Sequence, residues 1–239
     1  VTTTRPFIIA LDLDNRAKRL ELLRSFNSES LFVKVGMELF YREGLQVIEE
    51  LKQSGHRIFL DLKLHDIPNT VQRTMKELAA LDVDIVNVHA AGGQRMMEGA
   101  VEGLEAGTPT GRKRPVLIAV TQLTSTDEDM MQKQLLIEKP LTEVVQSYAQ
   151  LAKKSSVDGV VCSAQEVPFI HDACGETFYT VCPGIRRAED EKGDQKRVVT
   201  PQKARELGSW GIVVGRSITT ADDPFSVYKT MKQQWEGLK

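Results

Sequence analysis

The sequence predicts a closed (β/α)8 TIM barrel, and three observations carry the prediction. Eight short runs rich in β-branched residues start at positions 7, 31, 57, 84, 115, 159, 178 and 211, mostly 24 to 33 residues apart. That interval holds one strand and one crossover helix, so consecutive strands run parallel. The runs are nearly continuous in apolar residues, as in a sheet covered on both faces. A length of 239 residues also suits a fold that typically takes roughly 250. An open doubly wound sheet shares the alternation and is the competing fold. No linker or low-complexity segment interrupts the pattern, so residues 1–239 are read as a single domain.

The first strand is read at FIIALDL (7–13) and the second at LFVKVG (31–36). The stretch MELFYREGLQVIEELKQSG (37–55) follows, with Leu39, Tyr41, Leu45, Ile48 and Leu51 near helical spacing. Gly55 suits a C-terminal cap. Strands three to five are RIFLDLK (57–63), DIVNVHA (84–90) and PVLIAVT (115–121). Residues 122–158 must hold a loop and about two helices. GVVCS (159–163) and FYTVCPG (178–184) bracket a short unit, and GIVVGR (211–216) completes the series.

Composition narrows the class of function. Lys and Arg total 31 against 33 Asp and Glu, a net charge of -2. A nucleic-acid or membrane-surface binder would carry clustered basic residues in excess. Cys162, Cys174 and Cys182 form an odd set without CxxC spacing, which reads as reduced thiols. No apolar stretch approaches the roughly 20 residues that cross a bilayer. VTTTRPFIIA at the start lacks the apolar region of a signal peptide. A cytoplasmic protein is the expectation.

Polar residues sit where several apolar strands end: Asp12, Lys34, Asp61 with Lys63, His89, and Gly215 with Arg216. Side chains alternate along a strand, so Asp61 and Lys63 share one face while Leu60, Leu62 and Leu64 share the other. Active sites of such barrels gather at the C-terminal strand ends. The charges would then mark a functional mouth. Ion pairs that merely close the barrel are the plainer explanation. Their desolvation cost makes them weak stabilisers, however, and four groups of alternating sign on three consecutive strands favour function.

PGIRR after strand seven and VVGRSI at strand eight read as a phosphate cradle. Loops at these positions often present backbone amides and a helix N-terminus to phosphate. Gly184 and Gly215 permit close backbone approach, and Arg186 and Arg216 offer bidentate forks. His56, His65, His89 and His171 are scattered, with no HxH or HExxH, so no metal site is read. GxGxxG after the first strand, GxxxxGK[ST] and a nucleophile motif are likewise missing from the sequence.

Seven segments carry a family resemblance: ALD (10–12), FVKVGMELF (32–40), DLKLHDIPNTV (61–71), VNVHAAGG (86–93), AVTQLTS (119–125), PGIR (183–186) and VVGRSI (213–218). The chain resembles the orotidine 5'-phosphate decarboxylase family, most of all its bacterial members, over essentially its whole length. The Asp-x-Lys-x-x-Asp core belongs to a wider suprafamily, and Lys34 narrows the choice. Magnesium-dependent relatives acting on sugar phosphates, hexulose-6-phosphate synthase and ketogulonate-6-phosphate decarboxylase, typically carry Glu there.

The resemblance implies conversion of orotidine 5'-monophosphate to uridine 5'-monophosphate without cofactor or metal. It also implies a homodimer in which Asp66 enters the partner's active site. Lys63 would stabilise and protonate the C6 carbanion within an array of Lys34, Asp61 and Asp66. Asp12 and Lys34 would meet the ribose, and Thr124 the base. Arg186, Gln195, Gly215 and Arg216 would hold the phosphate, with Ile67, Thr70 and Pro183 also against substrate. Loops after strands five and seven would close over the nucleotide. The competing readings are a magnesium-dependent sugar-phosphate lyase on the same barrel and a non-catalytic nucleotide-binding barrel.

Overall fold

A computed structural model describes residues 5–27, 29–190 and 198–238. Eight parallel strands close on themselves: β1 (Phe7–Ala10), β2 (Phe32–Gly36), β3 (Arg57–Leu64), β4 (Ile85–His89), β5 (Val116–Val120), β6 (Gly159–Val161), β7 (Tyr179–Ile185) and β8 (Gly211–Val214). Ile8 pairs with Phe32 of β2 on one side and Val213 of β8 on the other, which rules out the open sheet.

The strands lie within the predicted runs, apart from one-residue extensions at the ends of β3 and β7. Several stop early at the C-terminal side. β1 ends at Ala10, which leaves Asp12 on the loop above it, and β8 ends at Val214, so that Arg216 opens a helix.

Helices connect the strands: α1 (Arg16–Ser25), α2 (Met37–Glu43), α3 (Leu45–Gln53), α4 (Pro68–Ala79), α5 (Gln94–Gly107), α6 (Glu128–Gln134), α7 (Leu141–Lys154), α8 (Val167–Cys174), α9 (Pro201–Glu206), α10 (Arg216–Thr219) and α11 (Pro224–Glu236). Residues 37–55, expected as one amphipathic helix, form two. Gly44 at φ 65 breaks the run, a conformation that an L side chain resists. Buried Arg19 of α1 secures the break by pairing with Glu43 on one side and Glu50 on the other. Gly55 does follow the helix end, at φ 78, with its N–H on the Lys52 carbonyl. The stretch after β5 holds the two expected helices, α6 and α7.

Alternation along each strand separates two cores. Ile8, Phe32, Phe59, Ile85, Ile118, Val181 and Val213 point inward and fill the barrel. Ile9, Val33, Val35, Ile58, Leu60, Val86, Leu117 and Ile212 point outward against the helices. Each such side chain removed from water contributes roughly 1.5–3 kcal/mol. The lower end is sealed by Trp210 stacked on Tyr179 and by the Arg57 guanidinium over the Phe32 ring. The opposite end, at the strand C-termini, is open.

One helix contact aims a segment of that open end. Gly99, Gly103 and Gly107 form a stripe on α5 facing α4, and a β-carbon at Gly103 would stand 2.1 Å from the Gln72 carbonyl oxygen. Only glycine allows the two helices to approach this closely. The stripe thereby fixes α4, whose first turn carries Ile67 and Thr70 just beyond Lys63.

Candidate active site

Lys34 sits at an inward position of β2, two residues above Phe32. Its Nζ lies 3.1 Å from Asp12 Oδ1 and 3.3 Å from Asp61 Oδ2. Lys63 Nζ donates to the other Asp61 oxygen, Oδ1, at 2.7 Å. Asp12, Lys34, Asp61 and Lys63 therefore form one continuous line of alternating charge across the tops of three strands. Asp61 is buried, the Lys34 side chain is 12% exposed, and Asp12 is half exposed.

Burial alone would push the Lys34 ammonium toward its neutral form. Asp61 and Asp12 more than reverse this, leaving its pKa above the ordinary lysine value. Burial likewise pushes the Asp61 carboxyl up, and the charges of Lys34 and Lys63 outweigh it, holding the pKa below the usual carboxylate range. Both groups stay ionised because each is the other's counter-charge.

Asp61 and Lys63 reach the same cavity, as alternation predicts, but along an irregular backbone. Leu60 pairs with Val86 and Leu64 with Val88, so β3 spends four residues where β4 spends two. This is a bulge, a device that re-aims side chains at functional sites. Lys63 itself has φ 52, in a region that costs an L-residue roughly 1–2 kcal/mol. Asn87 of β4 holds the conformation: its Oδ1 accepts the Lys63 N–H at 2.8 Å while its Nδ2 donates to Asp61 Oδ1 at 2.7 Å. Sequence reasoning assigned Asn87 no role. The available signal was one amide at an inward position between the apolar residues of the strand IVNVH.

His89, two residues further along β4, lies over the exposed His65 ring, with centroids 5.7 Å apart. Burial depresses its pKa, and the nearby His65 and Lys63 add to the effect.

A cavity of about 480 Å³ runs from this charged array to the loops after β7 and β8. Of the residues expected from the sequence, it gathers Asp12, Lys34, Asp61, Lys63, Thr124, Pro183, Arg186, Gly215 and Arg216 in its wall. Gln122 and Ser125 also line it and had not been singled out. At the far end, Gly184 adopts φ 78 and turns the chain, and the Arg186 N–H binds the Val199 carbonyl at 3.1 Å. Arg186 is buried, and burial together with the neighbouring Arg216 lowers its pKa. Two like charges converging on one pocket suit an anion. The close approach expected at Gly215 is not to the protein: a β-carbon there would meet only Ala10 Cβ, at 3.7 Å.

Three expected residues lie elsewhere. Asp66, Ile67 and Thr70 are exposed and outside the cavity of their own chain. The Asp66 carboxylate caps the following Ile67 N–H at 2.7 Å, and Ile67 presents an apolar side chain to the surface. Gln195 falls outside the described residues. Among the described residues, no cluster of three or more His, Cys, Asp and Glu could hold a metal ion, and no helix is long and apolar enough to cross a membrane.

Comparison with known proteins agrees with the geometry. The model of the orotidine 5'-phosphate decarboxylase / HUMPS family matches residues 5–231. An orotidine 5'-phosphate decarboxylase of Shouchella clausii is 66% identical over 233 residues, covering 98% of both chains. That of Halalkalibacterium halodurans is 64% identical, covering 98% of this chain and 99% of the other. The crystal structure of the Lactobacillus acidophilus orotidine 5'-phosphate decarboxylase superposes with a TM-score of 0.86 at 46% identity, over 97% of this chain and 99% of that one.

Proposed function

The chain belongs to the orotidine 5'-phosphate decarboxylase / HUMPS family, and from that premise we propose that it converts orotidine 5'-monophosphate to uridine 5'-monophosphate. It is a carboxy-lyase of pyrimidine nucleotide synthesis, which supports a cytoplasmic location. The observation that carries the reading is the line Asp12–Lys34–Asp61–Lys63 at one end of a cavity whose other end holds Arg186 and Arg216. A nucleotide with a reacting base and a 5'-phosphate matches that polarity. Closure of the sheet by β1 and β8, together with the family match over residues 5–231, supports a single domain.

Loss of CO₂ from C6 leaves an electron pair in the plane of the pyrimidine ring, outside its π system. The protein's own charge must then stabilise it, with no cofactor entering the step. The Lys63 ammonium, fixed by Asp61 and by the Asn87-held backbone, is suited to do so and then to deliver its proton to C6. The array is held by its own ion pairs and by Asn87, so little reorganisation opposes the developing charge. Asp12 and Lys34 are suited to the ribose hydroxyls, Thr124 to the base, and Gly215, Arg186 and Arg216 to the phosphate. Gln195 is retained as a phosphate ligand on the resemblance alone. Binding of the remote phosphate can be used to order the site around the ring.

Asp66, Ile67 and Thr70 complete a site only if a second copy provides them. Their exposure next to Lys63, on a segment aimed outward by α4, supports a homodimer in which each copy gives Asp66 to the other's cavity.

A magnesium-dependent lyase on this barrel would carry Glu at position 34, between the carboxylates of Asp12 and Asp61. Here the Lys34 ammonium bridges those two carboxylates, which disfavours that reading. The test is ultraviolet loss of the orotate chromophore when EDTA-treated protein meets orotidine 5'-monophosphate. Rapid bleaching is expected. Folded protein that leaves the chromophore intact, yet acts on sugar phosphates once magnesium is added, would overturn the proposal.

A further inference from the structure

We infer that Asp190 is a positioning residue for the phosphate end of the cavity, tying the turn after β7 to the start of α10 and so fixing the separation of Arg186 and Arg216. The inference rests on the reading of that end as a 5'-phosphate pocket.

One carboxylate joins two segments that are distant in sequence. Asp190 Oδ2 accepts the Ser217 hydroxyl at 2.5 Å and the Arg187 N–H at 3.0 Å. Its Oδ1 accepts from the Arg187 guanidinium, Nε at 2.9 Å and Nη2 at 2.6 Å. The turn is closed a second time by the Asp190 N–H on the Arg187 carbonyl. Ser217 is buried, and the Asp190 side chain is 13% exposed.

The order of residues gives the arrangement its meaning. On each segment an arginine lining the cavity is followed directly by a residue bound to Asp190: Arg186 by Arg187, and Arg216 by Ser217. A bond between Arg187 and Ser217 through Asp190 therefore sets how far apart the two preceding residues stand. Bringing two guanidinium groups to one pocket is opposed by their repulsion. Asp190 favours the charged form of Arg186, against the effect of Arg216. Burial pushes the Asp190 carboxyl up, but its bonds to Arg187 and Ser217 prevail and keep it below the usual range. The latch is thus charged wherever the phosphate is. Without it, the two arms would have to be ordered by the ligand, at a cost in affinity.

Only a phosphate-bearing substrate meets both arms, which provides the test. Turnover of orotidine 5'-monophosphate and of orotidine, which lacks the phosphate, is measured in wild type, Asp190→Asn, Ser217→Ala, the double variant and Ser217→Thr. Loss of one hydrogen bond to a charged group corresponds to about a ten-fold effect. KM for orotidine 5'-monophosphate is expected to rise about that much in Ser217→Ala and at least that much in Asp190→Asn, while kcat/KM for orotidine stays within about two-fold. The double variant is expected to lose no more than Asp190→Asn alone, because the Ser217 hydroxyl acts only through Asp190. Ser217→Thr, which keeps the hydroxyl, is expected to retain the wild-type ratio of the two substrates. Should Asp190→Asn fail to fold, Ser217→Ala, which removes one hydroxyl, carries the test alone. Unchanged KM, or equal losses on both substrates, would overturn the inference. Wild-type protein that leaves orotidine 5'-monophosphate unconsumed would instead overturn the underlying reading of the site.

Discussion

Lys63 reaches to within 2.7 Å of Asp61 from a backbone at φ 52, so the ion pair at the centre of the array and an unfavourable main-chain conformation occupy one residue. Conformations of this kind persist only where surrounding bonds overdetermine them, and they cluster at functional sites. Here the surrounding bonds come from Asn87.

Chemistry and conformation at Lys63 can be separated by two substitutions. Lys63→Ala is expected to lower kcat by at least about 10⁴-fold, since under the proposed mechanism it removes both the proton donor and the charge beside the carbanion. Lys63→Gly should be equally inactive yet more stable than Lys63→Ala by about 1 kcal/mol, because glycine accepts the left-handed region. Urea unfolding of the two variants measures the difference. An alanine variant that kept most of its activity would remove Lys63 from the mechanism.

Asn87→Ala tests the support beneath the array. The substitution leaves the Lys63 N–H without its partner and removes one of the two bonds to Asp61 Oδ1, at a cost of roughly 1–3 kcal/mol. With Lys63 no longer held, kcat should fall by more than ten-fold while KM for the nucleotide changes little, since Arg186 and Arg216 are untouched. A KM effect without a kcat effect would reassign Asn87 to binding.

These two residues also mark how much of the molecule was legible in its sequence. Asp61 and Lys63 stood out because charge interrupts an apolar strand, and the strand period put both on one face. Their cavity follows from that parity even though the bulge between Leu60 and Leu64 breaks the regular pairing. The bulge itself was hidden, since it depends on what β4 offers opposite. Asn87 was hidden for the same reason: an amide in a strand carries no sign of the carboxylate it will meet. Gly44 was passed over because the apolar spacing of residues 37–55 continues across it, whereas the ion pairs of Arg19 that secure the break come from a distant helix. Asp66, Ile67 and Thr70 were found by resemblance alone, and the geometry of a single chain leaves them at its surface.

Acid should destabilise the fold beginning near neutrality. Burial depresses the pKa of both His56 and His89 from 6.5, so the unfolded chain binds more protons between that value and the lower folded ones. Stability then falls as pH drops through this window. His56 Nδ1 accepts the Leu31 N–H at 3.2 Å, and protonation would abolish that bond. His56→Gln, whose side-chain carbonyl can still accept, should lose less stability than wild type between pH 7.5 and pH 5.5 in urea unfolding. Equal losses would shift the effect entirely to His89.

The windows of the charged array itself lie at the two extremes of pH. Asp61, held below its ordinary 3.8, contributes stability that is present above that value and lost as pH falls through the lower folded pKa. Lys34, held above 10.5, contributes stability that is present below that value and lost as pH rises through the higher folded one. Asp61→Asn should therefore flatten the most acidic limb of the stability profile, and Lys34→Met the most alkaline. Lys34→Met should leave the slope near neutrality unchanged, whereas Asp61→Asn removes a charge that favours the protonated form of His89.

Asp66 offers the most demanding prediction, because it concerns two chains at once. Lys63→Ala and Asp66→Ala are each expected to be inactive. If every cavity takes Lys63 from one copy and Asp66 from the other, a mixed dimer of the two variants contains one cavity with both residues intact and one with neither. Random reassortment makes half of the dimers mixed, so an equal mixture should recover about a quarter of wild-type activity on a per-site basis. Dilution below the dimer dissociation constant should abolish the recovered activity faster than it unfolds the barrel. If Asp66 served its own chain, each cavity in the mixed dimer would still lack one residue and mixing would restore nothing. Asp66 is exposed outside the cavity of its own chain, two residues ahead of a helix fixed by the glycine stripe of α5, which is the position the first outcome requires.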